Sequence, residues 1–385
     1  MLNAKCILVN FSKPKTIFKL LQTIIMLNKI LIVLSLFLVG KTAAQDPHFS
    51  LYQTIPVAVN PAYTGLIPGG VSQRFTANYR NQWSNLFQRN TFQTAYAAYD
   101  TRLCVGGGNA GFFGIGGQLL HDRAGSVPLE RTQALVSVSY SMRLGPLSRI
   151  SQGNLGDVRL TIGGEGGGLS HRIGGGEMRF DEQFDGRQYD PSVPGEEFDR
   201  YHFLMGDLGA GLLLHTSGKE ATDFGFSVGG SYKHLNTPEY RFFDNDRDAE
   251  SRLPQRLALH VSGKVRLVPD RTAVNFRGIF LSQGPFQQIV VGTDFLWRFG
   301  KVRGEDAVFT PGLSWRRSRH VESGWHDDAL IAAVQLDMRR YRLVFGYDFS
   351  VSSVRRVSNS GGFEVGLQWV FDGGRDCGAV CPWGM

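Results

Sequence analysis

Beyond residue 44 the chain has no stretch that keeps helical periodicity over three turns, and no apolar run long enough to cross a bilayer as a helix. An α-helical or α/β fold is thereby excluded. Cysteine is scarce too: of 4 in 385 residues, Cys104, Cys377 and Cys381 lie past residue 44. Cys377 and Cys381 are four apart with no histidine near them, which is not a zinc-ligand pattern. No Gly-x-Ser-x-Gly elbow occurs, and Ser and His never stand at a spacing that singles out a pair, so no catalytic residue is assigned. An excess of one charge is also lacking where it would matter. Residues 1–44 carry six lysines and no acid, and without them 35 basic residues face 34 acidic ones, a net charge near +1. The basic character belongs to the leader and is no footprint of nucleic acid.

Residues 30–39 form a ten-residue apolar run broken only by Ser35, with Thr42-Ala43-Ala44 after it. This reads as a cleavable signal peptide over 1–44, cut between Ala44 and Gln45, and Met26 already opens a complete one. An exported chain meets an oxidising compartment, which permits one disulfide among the three remaining cysteines and leaves one over.

The chain is rich in glycine, 48 residues without collagen period, and in aromatics at 12%. From residue 71 to 372, about fourteen segments of ten to sixteen residues alternate in polarity. In 341–349, Tyr341, Leu343, Phe345, Tyr347 and Phe349 share one face and Arg342, Gly346 and Asp348 the other. Strands of this length, even in number, predict an all-β fold: a transmembrane antiparallel β-barrel of about 14 strands. The two longest connections, around 173–202 and 235–254, come after odd-numbered segments, as expected where odd hairpins face outward. Aromatics near segment ends, among them Tyr79, Trp83, Trp297, Phe299, Trp315, Trp369 and Phe371, suit interfacial girdles. On the other face, Arg256, Lys264, Arg277, Arg298, Arg316 and Arg342 are opposed by Glu165, Asp207, Asp294, Asp337, Asp348 and Glu364, a balance that suits a braced interior better than an ion filter. Glycines such as Gly163, Gly164 and Gly166 to Gly168 mark places for a close backbone approach.

Three further patterns carry weaker chemistry. Gly106, Gly108 and Gly111 spell a dinucleotide fingerprint, but no helix comes after it, and no cofactor is expected. Asp244, Asp246, Asp248 and Glu250 lack the calcium-loop spacing, so no metal is expected. His171, His215 and His260 sit among polar residues of the kind a barrel lumen contains.

Ahead of the first segment, residues 45–70 are punctuated by Pro47, Pro56 and Pro61 and read as an extended periplasmic lead-in that is neither helix nor central strand. Its wording resembles the opening of the PorP/SprF outer-membrane proteins of the type IX secretion system of Bacteroidota. Asp46, Pro47, Phe49 and Ser50 match one motif of that family. Asn60, Pro61, Ala62, Tyr63, Thr64 and Gly65 match a second, and Tyr79, Arg80, Asn81, Gln82 and Trp83 a third. Cys381-Pro382, in a tail over 373–385, is similar to the family's Cys-Pro ending, and Cys104 falls in a turn on the side where this tail would lie. The resemblance implies a non-enzymatic outer-membrane component of protein secretion and gliding motility. Its implied partners are a secreted cargo with a type IX C-terminal domain, such as an adhesin, the secretion machinery and outer-membrane lipid. A passive diffusion porin and a lipid-modifying outer-membrane enzyme are the alternatives. Trp83, Trp325 and Tyr189 are candidate anchors for a docked domain.

Overall fold

The computed structural model describes residues 46–67, 71–82, 92–104, 111–125, 129–144, 157–173, 183–184, 186–190, 192–193, 201–217, 224–239, 252–302, 305–320, 324–352 and 361–371. Ala44, Gln45, Trp83, Cys377 and Cys381, the Asp244–Glu250 cluster, and Gly106 and Gly108 fall outside them, as does the side chain of Cys104.

Fourteen antiparallel strands close into one barrel. In chain order they are β1 (Gln73–Gln82), β2 (Phe92–Cys104), β3 (Gly111–Ala124), β4 (Leu129–Arg143), β5 (Asp157–Ile173), β6 (His202–Ser217), β7 (Phe224–Lys233), β8 (Arg256–Val268), β9 (Thr272–Gln283), β10 (Phe286–Val302), β11 (Glu305–His320), β12 (Gly324–Met338), β13 (Tyr341–Ser350) and β14 (Gly362–Phe371). Each pairs with its neighbours in sequence, and β1 closes on β14, Tyr79 opposite Val365. Closure leaves no strand edge unpaired, which a sheet inside hydrocarbon requires. Among the described residues no helix is long and apolar enough to cross a membrane.

Period-two alternation fixes which face each side chain takes. Val136, Val138, Leu204, Leu208, Leu259, Val261, Phe276, Leu313, Phe345 and Phe349 are exposed on the outer wall, while Arg74, Ser137, Glu165, Arg316 and Glu364 are buried in the lumen. The outer wall is therefore the apolar one, inverse to a soluble sandwich. Aromatic contacts gather at the end of the barrel where the even-numbered hairpins turn: Tyr341 stacks on Trp369 at 6.0 Å and 11°, Trp369 meets Phe371 at 4.7 Å, and Phe113 meets Tyr140 at 4.8 Å. Tyr79 with Phe363, and Tyr347 with Phe349, lie towards the odd-hairpin end.

Residues 46–67 correct the expected extended lead-in. They lie inside the lumen and fold into three single turns of helix: a 3-10 turn at Tyr52–Thr54, α1 at Pro56–Val59 and a second 3-10 turn at Pro61–Tyr63. Proline excludes itself from a helix interior, but at the first position its missing N–H costs nothing and its fixed φ favours the turn. Pro56 and Pro61 both stand there. Asn60 caps the last turn, its side-chain oxygen accepting from the Ala62 N–H at 2.9 Å.

Candidate functional site: the lumenal segment and the cavity above it

The segment runs the length of the lumen, from Asp46 beside the odd-hairpin ends of β4, β8 and β9 to Ile67 beside the even-hairpin end of β2. Four sets of polar contacts hold it, and residues of the family motifs take part in each.

At the head, the Asp46 carboxylate accepts from Arg131 at 2.5 Å, from Arg256 at 3.2 Å and from Gln283 at 3.1 Å, and the Asp46 N–H donates to the Gln283 side chain at 2.8 Å. His234 bridges Asp46 at 2.9 Å and Asp207 at 2.8 Å through its two ring nitrogens. Burial alone would raise the Asp46 carboxyl, but Arg131, His234 and Arg256 hold it well below the usual carboxylate range. Burial alone would lower the His234 imidazole, and the two aspartates raise it above its ordinary value instead. Phe49 packs edge-on against Tyr96 at 6.3 Å.

One turn further in, the Ser50 and Leu51 N–H groups donate to the two oxygens of Glu364 at 2.8 and 3.2 Å. The Ser50 hydroxyl donates to Asp348 at 2.7 Å and accepts from Arg80 at 2.7 Å and Arg316 at 2.8 Å. Arg80 also pairs with Asp348 at 2.7 Å and Glu364 at 3.0 Å, and Arg316 with Asp348 at 2.9 Å and Asp328 at 2.6 Å. Two guanidiniums thus hold three carboxylates around one serine. His48 sits beside them; burial, with Arg316 and Arg80 close by, lowers its imidazole to about 3, so it is neutral at pH 7.

Deeper, the Asn60 amide donates to the backbone carbonyls of Leu212 and Gly230 at 3.1 Å each. The Tyr63 hydroxyl meets Ser227 at 3.1 Å and His260 at 3.3 Å. This approach is close enough that a Cβ on Gly211 would overlap the Asn60 side chain, one on Gly163 the Pro61–Ala62 backbone, and one on Gly114 the Thr64 carbonyl. The close backbone approach expected at Gly163 is therefore present. Gly164, Gly166 and Gly168 meet no part of the segment, and Gly167 crowds only its neighbour strand β4.

At the foot, Gly65 takes φ +73°, a conformation that favours glycine, and its N–H donates to Asp100 at 2.7 Å. Arg74 grips Asp100 with two bonds of 2.9 Å and reaches the carbonyls of Tyr63 and Leu66, and Arg102 binds those of Gly65 and Ile67.

Between the polar sets the segment carries its own apolar core. Val59 and Tyr52 pack with Ile279, Val290 and Ile331; Leu51 with Ala333 and Val344; Ala62, Tyr63 and Leu66 with Phe112 and Leu213. These contacts reach walls all round the barrel, so the middle of the lumen is filled. Above the filling, at the odd-hairpin mouth, a cavity of about 870 Å³ remains, floored by Asp46 and His48 and walled by β8 to β14 with Gln82 of β1.

Of the third motif, Arg80 points inward to the ion network, Gln82 lines the cavity, and Tyr79 and Asn81 sit on the opposite face. Of the charges expected in the lumen, Arg277 pairs with Asp294, Arg342 with Asp337 and Arg316 with Asp348. Glu165 pairs with Lys233, Asp207 with His234 and Glu364 with Arg80. Sequence reasoning did not single out Arg74, Arg80, Asp100, Arg102, Arg131, Lys233 or His234 as lumenal partners. Their signal was present: on β1, β2 and β4, the first five of these occupy inward positions of the same alternation. His260 and His215 bond to Asn60 and Thr161, respectively, which are structural tasks. Trp325 and Tyr189 lie on odd-hairpin elements, Trp325 partly exposed and Tyr189 bridged to Phe184.

Fold and site together define an outer-membrane β-barrel whose lumen is occupied by its own N-terminal segment. The sequence matches the family described as type IX secretion system membrane protein PorP/SprF over residues 41–369. The chain belongs to that family. No curated protein sequence matches it significantly. Among solved structures it is similar to a KdgM porin (9% identity, 77% of this chain and 99% of that one, TM-score 0.32). It is similar also to the translocator domain of the autotransporter NalP from Neisseria meningitidis (12%, 80% and 91%, 0.34) and to a bacterial polysaccharide outer membrane secretin (7%, 79% and 99%, 0.37). At these scores the likeness adds nothing to what the strand pairing shows by itself.

Proposed function

We propose that this protein is a non-enzymatic component of type IX secretion that docks particular exported surface proteins, adhesins with a type IX C-terminal domain among them, at its odd-hairpin end, and that this end faces the cell exterior. Family membership supports the secretion role. The observation that carries docking over conduction is the filled lumen: a diffusion porin needs a continuous aqueous path, and here apolar side chains of residues 51–66 meet the barrel wall on several sides. Most of the described lumenal charges pair with one another or with the segment, which suits a rigid scaffold. Export by a signal peptide cut before Gln45 belongs to the same proposal, with residues 373–385 on the periplasmic side.

The test is deletion of the gene and restoration by the full chain, read by quantitative proteomics of the cell surface. Growth and general permeability should be unchanged while a small set of type IX substrates leaves the surface, returning on complementation. An unchanged set of surface proteins would refute the docking role.

A further inference from the structure

The barrel shuts where its first strand meets its last, and no hairpin joins that seam: β1 lies on β14 with Arg80 opposite Glu364. Every other neighbouring pair is consecutive in sequence, so a connection limits its register. The seam must have its register set in another way. A slip of one residue would exchange the two faces of a strand, and a slip of two would realign every lumenal side chain. On the lumenal face of β14, Glu364 stands between Gly362 and Gly366, so its carboxylate has no side chain two places away on either side.

Glu364 is buried and accepts four hydrogen bonds, and all four donors lie within residues 50–80. Its Oε2 accepts from the Ser50 N–H at 2.8 Å and from Arg80 at 3.0 Å; its Oε1 accepts from the Leu51 N–H at 3.2 Å and from Asn78 at 3.0 Å. Further along β14, the Gln368 amide donates to the Thr54 carbonyl at 2.7 Å. Thr54 covers Gly366, where an added Cβ would come within 3.2 Å of its side chain, and its hydroxyl accepts from Asn78 at 2.9 Å. A slip of two in either direction would bring Glu364 or Gln368 to the place of Gly366, against Thr54, and would put a glycine opposite Arg80. The four donors would then face no acceptor, and buried donors without partners are costly. Two strands and the segment thus form a socket that one register alone fills.

The donor side of this socket is local in sequence. Arg74 reaches the Leu66 and Tyr63 carbonyls, Asn78 reaches Thr54 and Arg80 reaches Ser50 across 8 to 30 residues, whereas Glu364 is 284 to 314 residues away in three of its bonds and 286 in the fourth. Contacts that close small loops form ahead of those that close large ones. We infer that the lumenal segment is a register key for barrel closure: seated against β1, it completes a four-donor carboxylate socket that admits Glu364 and so fixes β14 on β1. The lumen is then filled as the barrel shuts, and a closed empty barrel is not a required stage. This goes beyond the docking role and stands without it.

Disulfide trapping across the seam reads the register in the full chain, produced in cells with its native cysteines replaced by serine. Ala77 is opposite Leu367 on the outer wall, and after a slip of two it would be opposite Val365 or Trp369. The parent should trap Ala77→Cys with Leu367→Cys and little of Ala77→Cys with Val365→Cys or Trp369→Cys. Glu364→Gln sets an NH2 among the donors and should raise the ratio of slipped to native product about tenfold or more, as expected when hydrogen bonds to a charged group are lost. Asp294→Asn breaks the lumenal pair with Arg277 between the consecutive strands β9 and β10 and should leave the ratio unchanged. A chain lacking residues 46–54 should shift the ratio as Glu364→Gln does. If Glu364→Gln is degraded before it closes, Asn78→Ala, which removes one donor, is read in the same way. An unchanged ratio in the variant that is read overturns the key. A shift there with none in the chain lacking residues 46–54 overturns the segment's part in it. An equal shift in Asp294→Asn overturns the key as well, because the register would then follow general loss of stability.

Discussion

Arg80 shows what a single side chain does in this lumen. Its guanidinium, fully buried, holds Asp348, Glu364 and Ser50 at once, so that β1, β13, β14 and the lumenal segment share one charge. Truncating one partner of a buried pair costs far more than the pair's net contribution, because the remaining charges stay desolvated. Arg80→Ala should therefore destabilise the barrel by about 3–5 kcal/mol, read as a lower urea midpoint in detergent. Arg80→Lys should recover little, since a point charge cannot reproduce the fork. An unchanged midpoint for Arg80→Ala would show that the network is not a structural lock. The head pair makes a pH prediction with two limbs. His234, raised in the fold, contributes stability that is complete below its unfolded value of about 6.5 and is lost as pH rises through its raised value. Asp46, lowered in the fold, contributes stability present above about 3.9 and lost as pH falls through its lowered value. Hydrogen-exchange protection of the amides of residues 46–51, corrected for intrinsic rates, should be highest between about pH 4 and 6.5. His234→Gln should abolish the alkaline limb; a flat profile in the parent protein would refute the assignment.

At the scale of elements, the strands were legible and the lumenal segment was not. Alternation in β8, β13 and β14 is strict enough that face and length can be read from the sequence, and the observed strand order is the sequence order. Prolines 47, 56 and 61 argued for extended backbone, yet two of them open single helical turns whose stability comes from the walls around them. Those walls are far off in sequence: Ser50 meets Glu364 across 314 residues and Asp46 meets Gln283 across 237. No local pattern reports such pairs. Glycine did report part of it, because Gly163 lies on the lumenal face of β5 where a side chain would displace the Pro61–Ala62 backbone. Its neighbour Gly164 faces outward with nothing nearer than 3.9 Å to an added Cβ. Gly163→Leu should unseat the turn at 60–64 and cut its exchange protection, whereas Gly164→Leu should leave both unchanged. Equal effects of the two substitutions would mean that the close approach at Gly163 does not hold the segment.

For the whole molecule, inward polarity and outward apolarity arise from period two, and the orientation proposed from loop length is read directly by thiol labelling. Cysteines placed at Pro285, in the β9–β10 hairpin, and at Arg340, in the β12–β13 hairpin, occupy opposite ends of the barrel. An impermeant thiol reagent applied to intact cells should label Pro285→Cys and spare Arg340→Cys, and the reverse pattern would invert the proposed docking face. The lumen is closed by its own chain, and single-molecule conductance of the purified barrel in planar bilayers measures that closure. The intact protein should give no steady conductance, and a form lacking residues 46–67 that retains heat-modifiable migration should open a stable pore. A steady, solute-selective conductance from the intact protein would contradict closure and return the barrel to the porins.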